Sequence, residues 1–290
     1  MRCRSLWTLS LTAMLIACSP ADDLGADAAA TRDAATRTDA APGADAALSE
    51  DAAGLDAAPM TDAAPDSDSA TPAPLRVLVF TRTTGFRHAS ITDGVGALRS
   101  LAGARGWALE HTEDASQITA MNLASVDVVV FLSPTGDVLD DAQERALEAW
   151  VRAGGGWVGI HAAADCEYDW PFYSTLVGAW FNRHPAVQTA TLTVEDRAHP
   201  ATAHLEPTWT RTDEWYDFRR NPRLDVRVLI SIDESTYTGG EMGADHPVTW
   251  SHQVGDGRSF YTALGHTSES FAEPAFLDLL SGAVEWAAGS

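Results

Sequence analysis

Four short clusters carry the residues that could do chemistry. Thr83-Thr84-Gly85-Phe86-Arg87-His88, His161-Ala162-Ala163-Ala164-Asp165-Cys166 and Gly265-His266-Thr267 each follow an apolar run, and Asp213-Glu214-Trp215-Tyr216 sets two carboxylates beside two aromatic rings. A carboxylate against an aromatic wall tends toward a raised pKa, which suits general acid–base work. On these grounds His161 and His266 form the candidate central polar pair. Asp165 and Glu214 are the candidate acid–base or metal-ligating carboxylates, and Arg87, His88, Tyr216 and His246 the candidate substrate contacts. His88, His161 and His266 are also suitable ligand types for a divalent metal such as zinc. No short spacing of the H-E-x-x-H kind joins them. Each histidine alone is more often a satisfied structural residue than a ligand; recurrence at three strand ends is what points to a functional cleft.

Other chemistries are excluded or weakened. The chain has no lysine, which removes Schiff-base chemistry and a P-loop lysine. Gly154-Gly155-Gly156-Trp157-Val158-Gly159 matches G-x-G-x-x-G by letters, but it follows a helical pattern and opens a strand, the reverse of a dinucleotide fingerprint. No serine sits in a G-x-S-x-G elbow. Cys166 does not occupy the tight strand-to-loop position, which belongs to His161, so a cysteine nucleophile is disfavoured.

The elements that must position these residues are legible in the apolar pattern. Leu75–Thr81, Trp107–His111, Val126–Leu132 and Trp157–His161 read as strands. Ile91–Gly106 and Asp140–Ala153 read as helices between them. Further strands are expected at Gln188–Val194, Thr208–Arg211, Val226–Ile232 and Ser259–Leu264, with a final helix over Glu273–Ala287. Strands apolar on both faces and separated by helices predict a doubly wound α/β sandwich with a parallel sheet. Ligands in such sheets bind outside the carboxyl ends of the strands, where these loops fall.

The first 74 residues are of another kind. Residues 1–18 carry two arginines and an apolar run, Leu6–Ala17, that suits a signal peptide and is too short for a membrane span. The run ends Leu15-Ile16-Ala17-Cys18, which resembles a bacterial lipobox and predicts lipidation at Cys18. Residues 19–74 repeat Asp-Ala-Ala, with 12 acids, 2 arginines and several prolines, and predict a disordered, self-repelling linker. The expectation is therefore an exported, lipid-anchored protein of the cell envelope, the outer membrane being favoured. Its folded domain is residues 75–290. That domain holds 29 acids against 15 arginines. Such a surface repels phosphate backbones and makes nucleic acid an unexpected partner.

FTRTTGFRHASI (80–91), GGGWVGIHAAADCEYDWPFYSTLVGAWFNRHP (154–185), RTDEWYDFRRNPR (211–223) and ADHPVTWSHQVGDGRSFYTALGHTSESF (244–271) together resemble the ThuA-like, or trehalose-utilisation, family. The resemblance implies a flavodoxin-like fold akin to class I glutamine amidotransferases. Those enzymes carry a nucleophilic cysteine where this chain reads Ile160-His161-Ala162, so glutaminase activity is not implied. His266 would lie near their catalytic histidine. The family is linked to uptake and breakdown of trehalose and related glycosides, often under the label of glycosyl hydrolase. The resemblance thus implies a small carbohydrate as partner, handled by a hydrolase; a lyase or isomerase using the divalent metal that the histidines could hold is equally compatible with the residues. A non-catalytic carbohydrate-binding or envelope-assembly module is the rival expectation.

Overall fold

The computed structural model describes residues 73–289. The expected signal, Cys18 and residues 19–72 of the expected linker lie outside the described residues. The first half alternates β1 (Arg76–Phe80), α1 (Ile91–Arg105), β2 (Ala108–Thr112), α2 (Ala120–Leu123), β3 (Val128–Leu132), α3 (Asp141–Arg152) and β4 (Gly156–Ile160). The second half runs α4 (Pro171–Val177), β5 (Phe181–Arg183), β6 (Gln188–Val194), β7 (Thr208–Asp213), β8 (Asp217–Phe218), β9 (Arg227–Ile232), β10 (Pro247–Val254), β11 (Gly257–Thr262) and α5 (Pro274–Ala287).

Nine strands form one sheet in the order β2-β1-β3-β4-β11-β10-β9-β6-β7, and β5 pairs with β8 apart from it. The first five are parallel. The order β2-β1-β3-β4 followed by one late strand is that of a flavodoxin-like sheet. The composition of each strand explains its place. Every residue of β3 (VVVFL) and β4 (GWVGI) is buried, as interior strands covered on both faces require, whereas β2 and β7 at the two edges alternate in exposure. On one side α1 and α5 pack together, with α5 also against β3, β4 and β11; on the other α2 packs on α3, while α3 and α4 reach β11. Helix α3 begins at a reciprocal capping box, Asp140 with Gln143, and α1 ends at Gly106 in the left-handed conformation.

The structure departs from the sequence reading at the late strands. They extend the parallel sheet by four antiparallel strands, β10, β9, β6 and β7. β10 was not expected as a strand, because Trp250-Ser251-His252-Gln253 reads as a polar–aromatic loop. Two of its ring nitrogens bond to backbone carbonyls within the fold. Trp250 Nε1 donates to the Val177 carbonyl at 2.8 Å and His252 Nε2 to that of Thr175 at 2.7 Å. A two-residue turn joins β10 to β11, with Gly255 at φ +65° in its first position, the arrangement a tight hairpin needs. Trp215 and Trp250 are fully buried core residues, and Trp170 nearly so. Among the described residues no helix is long and apolar enough to cross a membrane.

Candidate functional site

The parallel strands deliver three loops to one end of the sheet. β4 stops at Ile160, one residue earlier than expected, and His161 takes up φ +51°. A non-glycine residue in the left-handed region is uncommon and strained, and it persists where surrounding structure fixes it. Here the turn swings the imidazole off the strand end, and Nδ1–H donates to the Ala263 carbonyl at 2.8 Å. A carbonyl can only accept, so this bond places a proton on Nδ1 and turns Nε2 inward toward the cluster. Tyr261 fixes the same turn by donating its hydroxyl to the His161 carbonyl at 2.9 Å. Beyond β11, Gly265 at φ +112° bends the chain and presents His266. The loop after β1 presents His88, and Ser90 Oγ ties it to the Gly265 carbonyl at 3.2 Å.

The fourth contributor comes from the antiparallel half. β7 ends at Asp213, whose fully buried carboxylate accepts from the backbone N–H of Gly265 at 2.9 Å and of His266 at 3.0 Å. The same carboxylate accepts from Glu214 N–H at 2.9 Å and faces Arg211 Nη2 at 3.1 Å. Asp213 therefore locks the Glu214 segment to the His266 loop.

The result is a compact cluster. His161 Nε2 lies 3.2 Å from His88 Nε2, 3.2 Å from His266 Nδ1 and 3.6 Å from Glu214 Oε2. His266 Nδ1 lies 3.1 Å from Glu214 Oε2, and His184 Nδ1 2.9 Å from Glu214 Oε1. His88, His161, Glu214 and His266 each place one ligand-type atom within 4.8 Å of all the others. A cavity of about 260 Å³ opens in front, lined by Phe86, His88, Asp165, Phe181, His184, Glu214, Tyr216 and His266. A larger groove of about 760 Å³ lies beside it around Glu144, Glu167 and Trp170, and holds none of the clustered histidines.

Electrostatics divide the two carboxyls. Burial pushes Asp165 above the ordinary carboxylate range, against the hydrogen bond it accepts from Tyr168 at 2.6 Å. Burial acts on Glu214 in the same direction, but hydrogen bonds and charge from His161 and His266 outweigh it and bring Glu214 down to about 2. Burial, helped by the neighbouring His161 and His266, lowers His88 to about 3, while the bond to Glu214 raises His266. Two carboxyls whose environments push them in opposite directions, beside several imidazoles, are the elements of acid–base or electrophilic chemistry.

Of the residues selected from sequence, the fold brings together His88, His161, Asp165, Glu214, Tyr216 and His266. Arg87 is not brought to the cavity; its guanidinium pairs with Glu113 at 2.6 Å. His246 is fully buried behind the site. Its Nε2–H donates to the Tyr216 carbonyl at 2.8 Å, and Nδ1 faces Glu234 Oε1 at 2.8 Å. It steadies the segment between β7 and β8 that carries Tyr216, whose ring lies 4.4 Å from that of His161. His184, Phe86 and Phe181 also line the cavity without having been selected from sequence: His184 stands before Pro185, a pairing typical of turns, and the two phenylalanines lie in no pattern that marks a cavity wall. Cys166 is fully buried, and desolvation holds its thiol well above the ordinary value, the opposite of an activated nucleophile.

Comparison with known proteins agrees with this geometry. Residues 76–287, almost the whole described domain, match the family model described as ThuA, trehalose utilisation. The chain belongs to the ThuA family. A ThuA-like protein from Bacteroides uniformis is 26% identical, with a TM-score of 0.65 over 75% of this chain and 93% of its own. One from Parabacteroides merdae is 21% identical, with a TM-score of 0.63 over 74% and 90%. A protein described as cytoplasmic from Salmonella typhimurium shares the fold at 13% identity and a TM-score of 0.54, over 73% and 99%. No curated protein sequence matches the chain. The flavodoxin-like class expected from the sequence is thus the class of the ThuA family members it matches.

Proposed function

We propose that this ThuA family member is an envelope-anchored enzyme acting on trehalose-like or oxidised glycosides by a hydrolase- or lyase-type reaction. The observation that carries this reading is a pair of carboxyls on one cavity in unlike settings: Asp165 bonded to Tyr168 and pushed upward by burial, Glu214 held by His184 and His266 and drawn downward by its histidines. A pair so divided supplies a proton-transfer group and a fixed negative charge at the same reacting centre. Asp165, raised by burial and outside the histidine cluster, is the group suited to exchange the proton, and Glu214, lowered by its histidines, the one suited to stay anionic. Glu214 instead orients His161, His184 and His266, and stabilises positive charge developing above it. Phe86, Phe181 and Tyr216 offer apolar faces to the carbon face of a sugar ring, and the cavity suits one monosaccharide unit with its substituent in the open mouth. Phe86, 68% exposed at the rim, would also suit a binding module without catalysis, which is the second reading.

Asp165→Asn distinguishes them, because it removes the ionisable proton while keeping a polar side chain of the same size. An enzyme loses turnover of a panel of trehalose-like and 3-oxidised glycosides by roughly 10²–10⁴-fold, with sugar binding largely retained. Binding without turnover by the unaltered protein, on every sugar of the panel, leaves the module reading. The anchor is part of the proposal and rests on the Leu15-Ile16-Ala17-Cys18 motif. The mass of the mature N-terminal peptide tests it: diacylglycerol on Cys18 is expected, and an unmodified or downstream terminus removes it.

A further inference from the structure

The cluster at the floor of this cavity poses a problem that hydrogen bonds between its members do not solve. His161 Nδ1–H is committed to the Ala263 carbonyl, so Nε2 alone faces the cluster and can make one hydrogen bond there, as donor or acceptor. Yet His88 Nε2, His266 Nδ1 and Glu214 Oε2 converge on it at 3.2, 3.2 and 3.6 Å. One bond leaves the remaining approaches to that nitrogen unpaired in a buried site. The rings stand edge-on and do not stack, with interplanar angles of 89° for His88 and His161, 90° for His88 and His266, and 77° for His161 and His266. Edge-on rings bring their in-plane lone pairs together at one point. A cation at that point satisfies all four groups at once.

We propose that His88 Nε2, His161 Nε2, His266 Nδ1 and Glu214 Oε2 hold one divalent first-row transition-metal ion of the zinc type. Ligand bonds of about 2.0–2.1 Å in a tetrahedron set ligand-to-ligand edges of about 3.3–3.4 Å. The separations of 3.1 to 3.6 Å lie around that value. Three imidazoles with one carboxylate favour zinc, cobalt, manganese or iron over calcium or magnesium, which prefer all-oxygen shells. The His161-to-Ala263 bond is the outer-shell partner that fixes tautomer and ring orientation in such sites. Asp213 does the same for two ligands, through its hold on the backbone of Glu214 and His266. Asp165 lines the cavity outside the ligand set, free to move a proton. His88, Glu214 and His266 face the cavity, so a substrate oxygen would reach the ion from that side only as a fifth ligand, the expansion that zinc-type sites allow, and would be polarised there. This deepens the carbohydrate reading of the same cavity, but ion binding does not depend on the identity of the substrate.

The test is metal stoichiometry of the full chain, stripped with chelator and titrated separately with zinc and cobalt. The unaltered protein is expected to hold one ion per chain and, with cobalt, to show the intense visible bands of a four-coordinate nitrogen–oxygen site. His161→Ala and His266→Ala lose the stoichiometric ion, Glu214→Gln weakens it, and His204→Ala, an exposed histidine away from the cluster, keeps it. Far-ultraviolet circular dichroism confirms that each variant is folded; if His161→Ala is not, His88→Gln and His266→Gln carry the comparison. Failure of the folded, unaltered chain to bind zinc, cobalt, manganese or iron overturns the site, as does binding that persists in both His161→Ala and His266→Ala. A chain that binds the ion but turns over no sugar keeps the site and removes the carbohydrate reading. Turnover of a glycoside by the chelator-stripped chain does the reverse.

Discussion

Glu167 has its charge poorly compensated. It is 2% exposed, with φ +54°, and its Oε1 accepts from the backbone N–H of Val138 at 2.7 Å and of Leu139 at 2.9 Å. Burial outweighs those two bonds, the negative charges of Asp137 and Glu144 add to it, and the carboxyl is pushed from an ordinary 4.5 up to about 7. The folded chain therefore keeps this proton while the unfolded chain has already released it. Stability at this position is fully present below pH 4.5, falls as pH rises from there to about 7, and is flat above. At about 1.4 kcal/mol per pH unit, the gap corresponds to roughly 3 kcal/mol at most, and water reaching the adjoining groove reduces it to about 1–3 kcal/mol. Glutamine preserves an oxygen for both backbone N–H groups and removes the ionisation. Glu167→Gln is expected to match the unaltered protein at pH 4.5 and to exceed it by about 1–3 kcal/mol at pH 8. Urea unfolding of both proteins at the two pH values measures this as a double difference, which cancels the many surface carboxylates. An equal difference between the two proteins at both pH values would refute the reasoning.

Other substitutions probe the frame around the site. Asp213→Asn weakens the bonds that hold Glu214, Gly265 and His266 and leaves Arg211, nearly buried, without full compensation; a loss of about 3–5 kcal/mol is expected by urea unfolding. Gly282→Ala in α5 drives a Cβ to 2.7 Å from Ala201 Cα and 2.8 Å from the Pro200 carbonyl, costing about 1–3 kcal/mol. Gly96→Ala on the exposed side of α1 meets nothing within 4 Å, and is expected to raise the same midpoint by about 0.5–1 kcal/mol. Cys166 is expected to resist a thiol reagent in the folded protein and to react at the rate of unfolding, and Cys166→Ala to leave turnover unchanged; fast labelling of the native state would contradict its burial.

Much of this protein is written locally. The unbroken apolar runs of β3 and β4 fix strands covered on both faces, and the capping box at Asp140 and the glycine at 106 mark helix ends. Such signals need no knowledge of distant residues, which is why the parallel half, His161 and His266 could be found from sequence. The order of residues did not decide the antiparallel half, because β10 mixes polar and aromatic residues whose partners are carbonyls some 75 positions away. Nor did it separate His246 from His184. Both precede proline, and only packing sends one behind Tyr216 and the other to the mouth of the cavity. The roles of the two carboxyls were equally undecided. Burial alone raises both Asp165 and Glu214, and what separates them is the company of His161 and His266, brought together from residues 161, 214 and 266 by sheet order and by Asp213. Residue type and local pattern determine which elements form and which groups can react. Protonation and ligand geometry depend on distances between chain-remote atoms, and the tertiary structure alone sets those.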